Sequence, residues 1–233
     1  VCRYALQKKV QVIIMRYVKP LQLQAYEALK EKIANGELLH NTIYSETKIS
    51  QELGISRTPL RDAVQRLSQE GYIDVIPSKG FRIHEMTERD LIETCQIRSA
   101  LEGFCVTELA KNCQKPASIR LFFELETLIQ RQEEICSQSH SAAEFAIYDD
   151  LFHEKIVMSL QNQMIADTFE SYHYRMSSQT IISLEVKGRM EETIAEHKDI
   201  LNFMKMGAIG RSYKASLAHL EKAKSLIKLV SSI

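Results

Sequence analysis

The sequence lacks a net charge, a paired set of cysteines and any apolar run long enough to cross a bilayer. Its 30 Lys and Arg balance 30 Asp and Glu. Bulk electrostatics therefore argues against a nonspecific coat on nucleic acid, though not against a local contact patch. The five cysteines, Cys2, Cys95, Cys105, Cys113 and Cys136, are odd in number and show no paired ligand spacing. Buried thiols in a reducing cytoplasm are expected, with Cys95 and Cys105 inside a helical pattern. No apolar run approaches the ~20 residues that span a bilayer, and no signal-peptide pattern is present, so no membrane partner is expected. There is no internal repeat and no low-complexity segment. What remains is 233 residues, 45% hydrophobic and 26% charged, enough for one large or two small globular domains with a good core.

The stretch Gly54-Ile55-Ser56-Arg57-Thr58-Pro59-Leu60-Arg61-Asp62-Ala63-Val64-Gln65-Arg66-Leu67 reads as a tight turn followed by a helix. Ser56 suits the N-cap, where its hydroxyl can accept from the free N–H groups of the first turn. Pro59 falls within that turn, where a missing N–H costs little. Leu60, Ala63, Val64 and Leu67 share one face. Arg57, Thr58 and Arg61 are left at the exposed N-terminal end, the arrangement of a helix that reads the DNA major groove. The preceding segment, Ser45 to Gly54, is a short helix with Ser45 as N-cap and Gly54 at its C-terminal stop. The pair makes a helix-turn-helix. After Gly71, Tyr72–Ile76 and Phe81–His84 read as two strands around the turn Pro77-Ser78-Lys79-Gly80. Lys79 and Gly80 at the tip of this wing suit a phosphate or minor-groove contact.

On these residues the segment 21–84 resembles the winged helix-turn-helix domain of GntR-type bacterial transcription regulators. The resemblance rests on Ile33 and Gly36, the run Glu52 to Arg61, Arg66-Leu67, Glu70-Gly71 and Gly80. It implies that Arg57 and Arg61 contact DNA from the recognition helix, joined by Ser56, Thr58, Lys79 and Gly80. Many relatives carry arginine in the first helix of the motif where this chain has Thr47, with Lys48 beside it.

Residues 1–20 hold Arg3, Lys8, Lys9, Arg16 and Lys19 without an acidic residue. A basic arm on phosphates is one reading. The other takes Met15 as the start, with residues 1–14 from an upstream initiation choice. The apolar run Val10–Met15 favours the second, since basic arms are low in apolar residues.

From residue 85 the pattern is wholly helical, with Glu85-Met86 as linker and Thr87-Glu88-Arg89-Asp90 as a capping-box start. Six helices are expected, over 88–112, 116–136, 142–160, 163–184 with a bend near Ser177-Ser178, 189–206 and 211–230. The fold class is mostly α: a winged helix-turn-helix with a two-stranded wing, then a helical bundle. Asp149 and His153 are four apart and leave one helix face together. His197 and His219 sit among core-type residues. Three imidazoles and a carboxylate suit Zn, Ni, Fe or Mn. Spacing alone makes a weak case for a metal and favours packing or solvation for such histidines, and His140 and His173 are read as surface or packing residues.

Residues 88–228 resemble the helical ligand-binding domain of the FadR-type branch, called FCD. The matching pieces are Ile97-Arg98 with Leu101-Glu102, Asp149-x-x-Phe152-His153, Ser159-x-x-Asn162, Glu196-His197-x-x-Ile200, and Ala215 with His219-Leu220. The resemblance implies that Asp149, His153, His197 and His219 ligate a divalent transition metal, with zinc the foremost candidate. Gly207-Ala208 departs from the Gly-Asp of many relatives, which removes an N-cap side chain. Four protein ligands leave positions open for a carboxylate effector, which could also meet Arg98, whose fork suits carboxylates. A buried ion pair of Arg98 with Glu102 is the competing role. The expectation is a cytoplasmic, homodimeric repressor of bacterial type. It would bind a pseudo-palindromic double-stranded operator under control of a small organic acid. A purely structural metal and a metal-dependent hydrolase using Asp150 or Glu154 as base are the alternatives.

Overall fold

The computed structural model describes residues 19–231, the side chains of 34, 173–179, 230 and 231 excepted. The basic extension with its alternative start at Met15, the thiol of Cys2 and the side chain of His173 thus lie outside the described residues, Lys19 and Pro20 apart. The chain folds as two compact units, one ending at Glu85 and the other beginning at Met86.

The first unit runs α1 (Leu21–Ala34), α2 (Glu46–Glu52), α3 (Arg57–Gln69), β1 (Ile73–Ile76) and β2 (Gly80–Ile83). Its core forms because α3 buries Leu60, Ala63, Val64 and Leu67 on one side, against α1, where Ala25 and Leu29 are buried. Each fully buried leucine or valine side chain there contributes about 1.5–3 kcal/mol. Gly54, at φ +65°, closes α2 and lets Ile55 N–H reach the Ser50 carbonyl at 3.0 Å. Ser45 and Ser56 occupy the N-cap positions, yet neither hydroxyl makes a cap hydrogen bond. The expected side-chain capping is therefore absent at both, although the extended backbone at each serine still turns the chain into its helix.

The wing pairs antiparallel, with Ile73 opposite Ile83 and Ile76 opposite Gly80. Gly80 opens β2 and is not at the tip, which is Pro77-Ser78-Lys79. Its glycine has a reason inside the fold. Tyr44 exchanges two backbone hydrogen bonds with Phe81, at 2.7 and 3.0 Å, as a one-residue third strand. A Cβ on Gly80, at φ +127°, would lie 2.0 Å from the Tyr44 carbonyl oxygen. Asp74 braces the wing, with Oδ1 2.7 Å from His84 Nδ1 and Oδ2 3.2 Å from Arg82 Nε.

The second unit is a bundle of six described helices: α4 (Glu88–Lys111), α5 (Pro116–Gln138), α6 (Ala142–Met158), α7 (Gln163–Leu184), α8 (Arg189–Lys205) and α9 (Ile209–Ser231). Thr87 caps α4 with a full capping box: its hydroxyl accepts from Asp90 N–H, and Asp90 accepts from Thr87 N–H at 2.9 Å. The helix assignment of α7 runs unbroken through 177–178, where a bend is expected from the sequence. The last helix opens at Ile209, two residues early, because Gly207 turns the chain at φ +65°. α4 and α9 pack along each other, α5 lies on α6 and α8, and α7 closes against α4, α6 and α9. Phe145, Phe152, Phe169 and Leu125 fill the centre. Cys95, Cys105, Cys113 and Cys136 are free thiols; Cys105 and Cys136 are buried as expected, whereas Cys95 and Cys113 are only half-buried. No helix of the described residues is long and apolar enough to cross a membrane.

Candidate metal centre and nucleic-acid interface

In the first unit, a cleft of about 530 Å³ opens between the N-termini of α2 and α3 and the wing. Arg57, Arg61, Lys79 and Gly80 line it, with Thr47 and Gln65. Ser56 and Thr58 are exposed nearby but are not among the lining residues. Helix α3 places Arg57 and Arg61 one turn apart on its solvent side because the opposite side is committed to the core. Arg61 Nε also lies 3.5 Å from Glu46 Oε2, a neighbour that the sequence reading passed over. Exposed pairs of this kind are worth at most about 1 kcal/mol, so the Arg61 guanidinium stays available.

In the second unit, α6 carries Asp149 and His153, α8 carries His197 and α9 carries His219. One ligand atom from each of the four lies within 4.8 Å of every other, and all four residues are buried. His153 Nε2 is 3.1 Å from His219 Nε2, and His197 Nε2 is 3.5 Å from Asp149 Oδ1. The outer nitrogens explain this orientation. His153 Nδ1 is 2.7 Å from Glu102 Oε2. His219 Nδ1 is 2.7 Å from Glu196 Oε2. His197 Nδ1 is 3.0 Å from Gln132 Oε1. Each of these oxygens accepts only, so each Nδ1 carries a hydrogen, and in the neutral ring each Nε2 is then a bare lone pair turned inward. Phe152 stacks on the His197 ring at 4.0 Å between centroids and fixes its plane.

The donor set fits a divalent transition metal. His197 Nε2 is buried without a hydrogen-bond partner, and two neutral imidazoles with Nε2 lone pairs facing each other at 3.1 Å repel unless a metal ion or a shared proton lies between them. Metal–nitrogen bonds of about 2.0–2.1 Å put adjacent ligand nitrogens at about this spacing. Burial holds His197 well below the ordinary histidine range, helped by the neighbouring His219 and His153. Burial also lowers His219, against the pull of Glu196. Both shifts favour the neutral form, the one that ligates. Burial pushes Glu196 up, but hydrogen bonds from His219 and Arg189 outweigh it and hold its carboxyl at about 2. Glu102 is likewise buried, and Arg98 with His153 holds it well below the usual carboxylate range.

Arg98 Nε donates to Glu102 Oε1 at 2.7 Å, so the ion pair expected from the i, i+4 spacing is present. Arg98 Nη2 is buried and has no hydrogen-bond partner, which leaves a donor over. Neither Asp150 nor Glu154 is among the four converging groups. The sequence reading missed Gln132, Arg189 and the roles of Glu102 and Glu196 toward the histidines. Only the charge of two buried-helix glutamates one or two turns from an arginine hinted at them. His140 is exposed.

Comparison with known proteins places both units. Residues 93–222 match the FCD domain, and residues 21–83 match the bacterial regulatory proteins of the gntR family. The chain is 29% identical over 178 residues to the gluconate operon transcriptional repressor of Bacillus subtilis, covering 76% of this chain and 70% of that protein. It is 26% identical over 200 residues to the HTH-type transcriptional regulator YdhC of the same organism, covering 86% and 88%. Among solved structures, E. coli McbR/YncC shares the fold with a TM-score of 0.69 at 22% identity, covering 92% of this chain and 100% of that one. The chain belongs to the GntR family of bacterial transcription regulators, in the branch that joins a winged helix-turn-helix to an FCD domain, a family of DNA-binding regulators and not of enzymes.

Proposed function

We propose that the protein is a homodimeric repressor whose DNA affinity is set by a small organic acid at a divalent metal in the helical unit. Asp149, His153, His197 and His219 hold the metal, and zinc is the foremost candidate for a site of three imidazoles and one carboxylate. The observation that carries this reading is the orientation of three buried histidines, each with Nδ1 on an outer oxygen and Nε2 turned toward the others and Asp149. Positions left open by four protein donors accept the carboxylate of the effector, and the spare Nη2 of Arg98 supplies a second, charge-assisted contact. A similar protein is named as the repressor of a gluconate operon, and gluconate is a carboxylate of the size meant here.

Each winged unit of the dimer reads one half of a pseudo-palindromic operator. Arg57 and Arg61 meet base edges in the major groove, where arginine pairs with guanine. Ser56, Thr58, Lys79 and the Gly80 backbone meet phosphate or the minor groove. Effector binding biases the two DNA-binding units by a coupling of about 1–3 kcal/mol, the usual scale for such links. Metal analysis of tag-free protein, wild type beside His197→Ala, tests the metal half. A near-stoichiometric transition metal that vanishes in the variant is the expected result, and a wild type that resists loading sinks it. Arg61→Ala tests the DNA half. Specific operator binding is expected to fall while the dimer persists, and an unchanged operator affinity would refute the assignment. The second reading, a metal that only stiffens the bundle, is favoured by the burial of all four ligands. Effector binding that survives metal removal would select it.

A further inference from the structure

We infer that Arg189 and Glu196 are positioning residues for His219, and that they form one of two arginine-backed glutamate relays that orient the metal ligands from outside. The inference rests on the metal reading above and extends it to residues that touch no metal.

Arg189 is 1% exposed, and a buried guanidinium is costly unless its charge is paired; its Nε makes no hydrogen bond, so the two Nη atoms carry the pairing. It makes a two-pronged contact with Glu196, Nη1 to Oε1 and Nη2 to Oε2, both at 2.7 Å. The two residues lie two turns apart on α8. Glu196 Oε2 is also 2.7 Å from Nδ1 of His219, which belongs to α9. The pair therefore does more than neutralise itself. It fixes which nitrogen of His219 carries the hydrogen and aims the other at His153. The same plan occurs on α4, where Arg98 holds Glu102 at 2.7 Å and Glu102 holds His153 at 2.7 Å. Each relay sets its arginine and glutamate on one helix and its histidine on another. Each adds basicity to its histidine without adding net charge, because arginine cancels glutamate. His197 is held differently, by the neutral amide of Gln132 at 3.0 Å, and the other amide atom, Nε2, has no hydrogen-bond partner. The outer partners of the three histidines are thus two carboxylates and one amide.

Outer partners of metal-bound histidines change metal affinity by roughly 10–100-fold when removed. The test is a Zn²⁺ titration against a chromogenic chelator, with Co²⁺ visible absorption as a reporter of ligand geometry. It compares wild-type full-length protein with Glu196→Gln, Arg189→Lys and Glu192→Gln. Glu192 is the matched control, since it lies 3.5 Å from the same Arg189 Nη1 and is not a partner of His219. Glu196→Gln is expected to weaken Zn²⁺ binding at least about tenfold and to alter the Co²⁺ spectrum. Arg189→Lys keeps the charge but loses the fork, and is expected to weaken binding by a smaller factor. Glu192→Gln is expected to match wild type. Zn²⁺ affinities of Glu196→Gln and Arg189→Lys within twofold of wild type, with an unchanged Co²⁺ spectrum, would overturn the inference and leave the metal site standing. Should Glu196→Gln fail to fold, Arg189→Lys decides alone. A wild type that binds Zn²⁺ no better than His197→Ala would remove the metal reading and this one together.

Discussion

Arg57 and Arg61 in the winged unit lie open to solvent, whereas Arg98 and Arg189 in the helical unit are 8% and 1% exposed. Neither of the first two has a part in the core, because α3 is anchored by its opposite face; Arg61 makes only an exposed pair with Glu46. The second two each hold a glutamate that in turn holds a metal-ligand candidate. One residue type therefore lies outside the core in one unit and is built into the candidate site in the other. Chemistry at a surface can be changed without touching the fold, while chemistry in a core cannot.

The sharpest way to break this comparison is to remove one arginine from each unit. Arg98→Ala leaves Glu102 buried without its cation, a loss that typically costs about 3–5 kcal/mol. Arg57→Ala removes an exposed side chain and should change stability by less than about 1 kcal/mol, while operator affinity falls by about 1–3 kcal/mol for a lost base contact. Urea unfolding and operator titration measure the two effects. Equal destabilisation by both variants would end the distinction.

Metal addition sharpens it from the other side. A ligand at 100 times its dissociation constant stabilises the form that binds it by about 2.7 kcal/mol. Zn²⁺ should thus raise the melting transition of the helical unit and leave hydrogen exchange in the wing unchanged. Protection that rises equally in both units would show that the winged unit shares the site's energetics.

Gly80→Ala is the next effect in size. The added Cβ meets the Tyr44 carbonyl at 2.0 Å, in a backbone conformation that side chains avoid, and such strain costs on the order of 1–3 kcal/mol. Faster amide exchange at Tyr44 and Phe81 with unaltered Zn²⁺ affinity is the expected pattern. Wild-type exchange at both amides would mean that the wing moves aside at little cost.

The same contrast governs what could be read from the sequence. The winged unit was legible because its signals are local: Gly54 to Leu67 contains the turn, the buried face and both arginines in one stretch. In the helical unit, Asp149 and His153 share a helix and announce themselves by spacing. His197 and His219 sit on two other helices, and only the family resemblance joined them to the site. Glu102 meets His153 across 51 residues of chain, and Gln132 meets His197 across 65. Helix packing sets those pairings, so no spacing rule exposes them. The reason for Gly80 was hidden likewise, since the atom it must avoid belongs to Tyr44.

The smallest effect tests whether locality is sufficient even at a helix end. Ser56 and Thr87 both read as N-caps. Thr87 accepts from Asp90 N–H at 3.1 Å and completes a reciprocal box, whereas the Ser56 hydroxyl makes no cap hydrogen bond. Replacing a bonded cap residue by alanine costs about 1 kcal/mol. Thr87→Ala should therefore lower stability by about that amount, and Ser56→Ala by a few tenths at most, as for an ordinary surface change. Thermal melts of the two variants distinguish them. A Ser56→Ala loss as large as that of Thr87→Ala would mean that the serine hydroxyl does cap α3 in solution. The exposed end of the recognition helix would then carry a fold duty after all, and the division between the two units would narrow to the arginines alone.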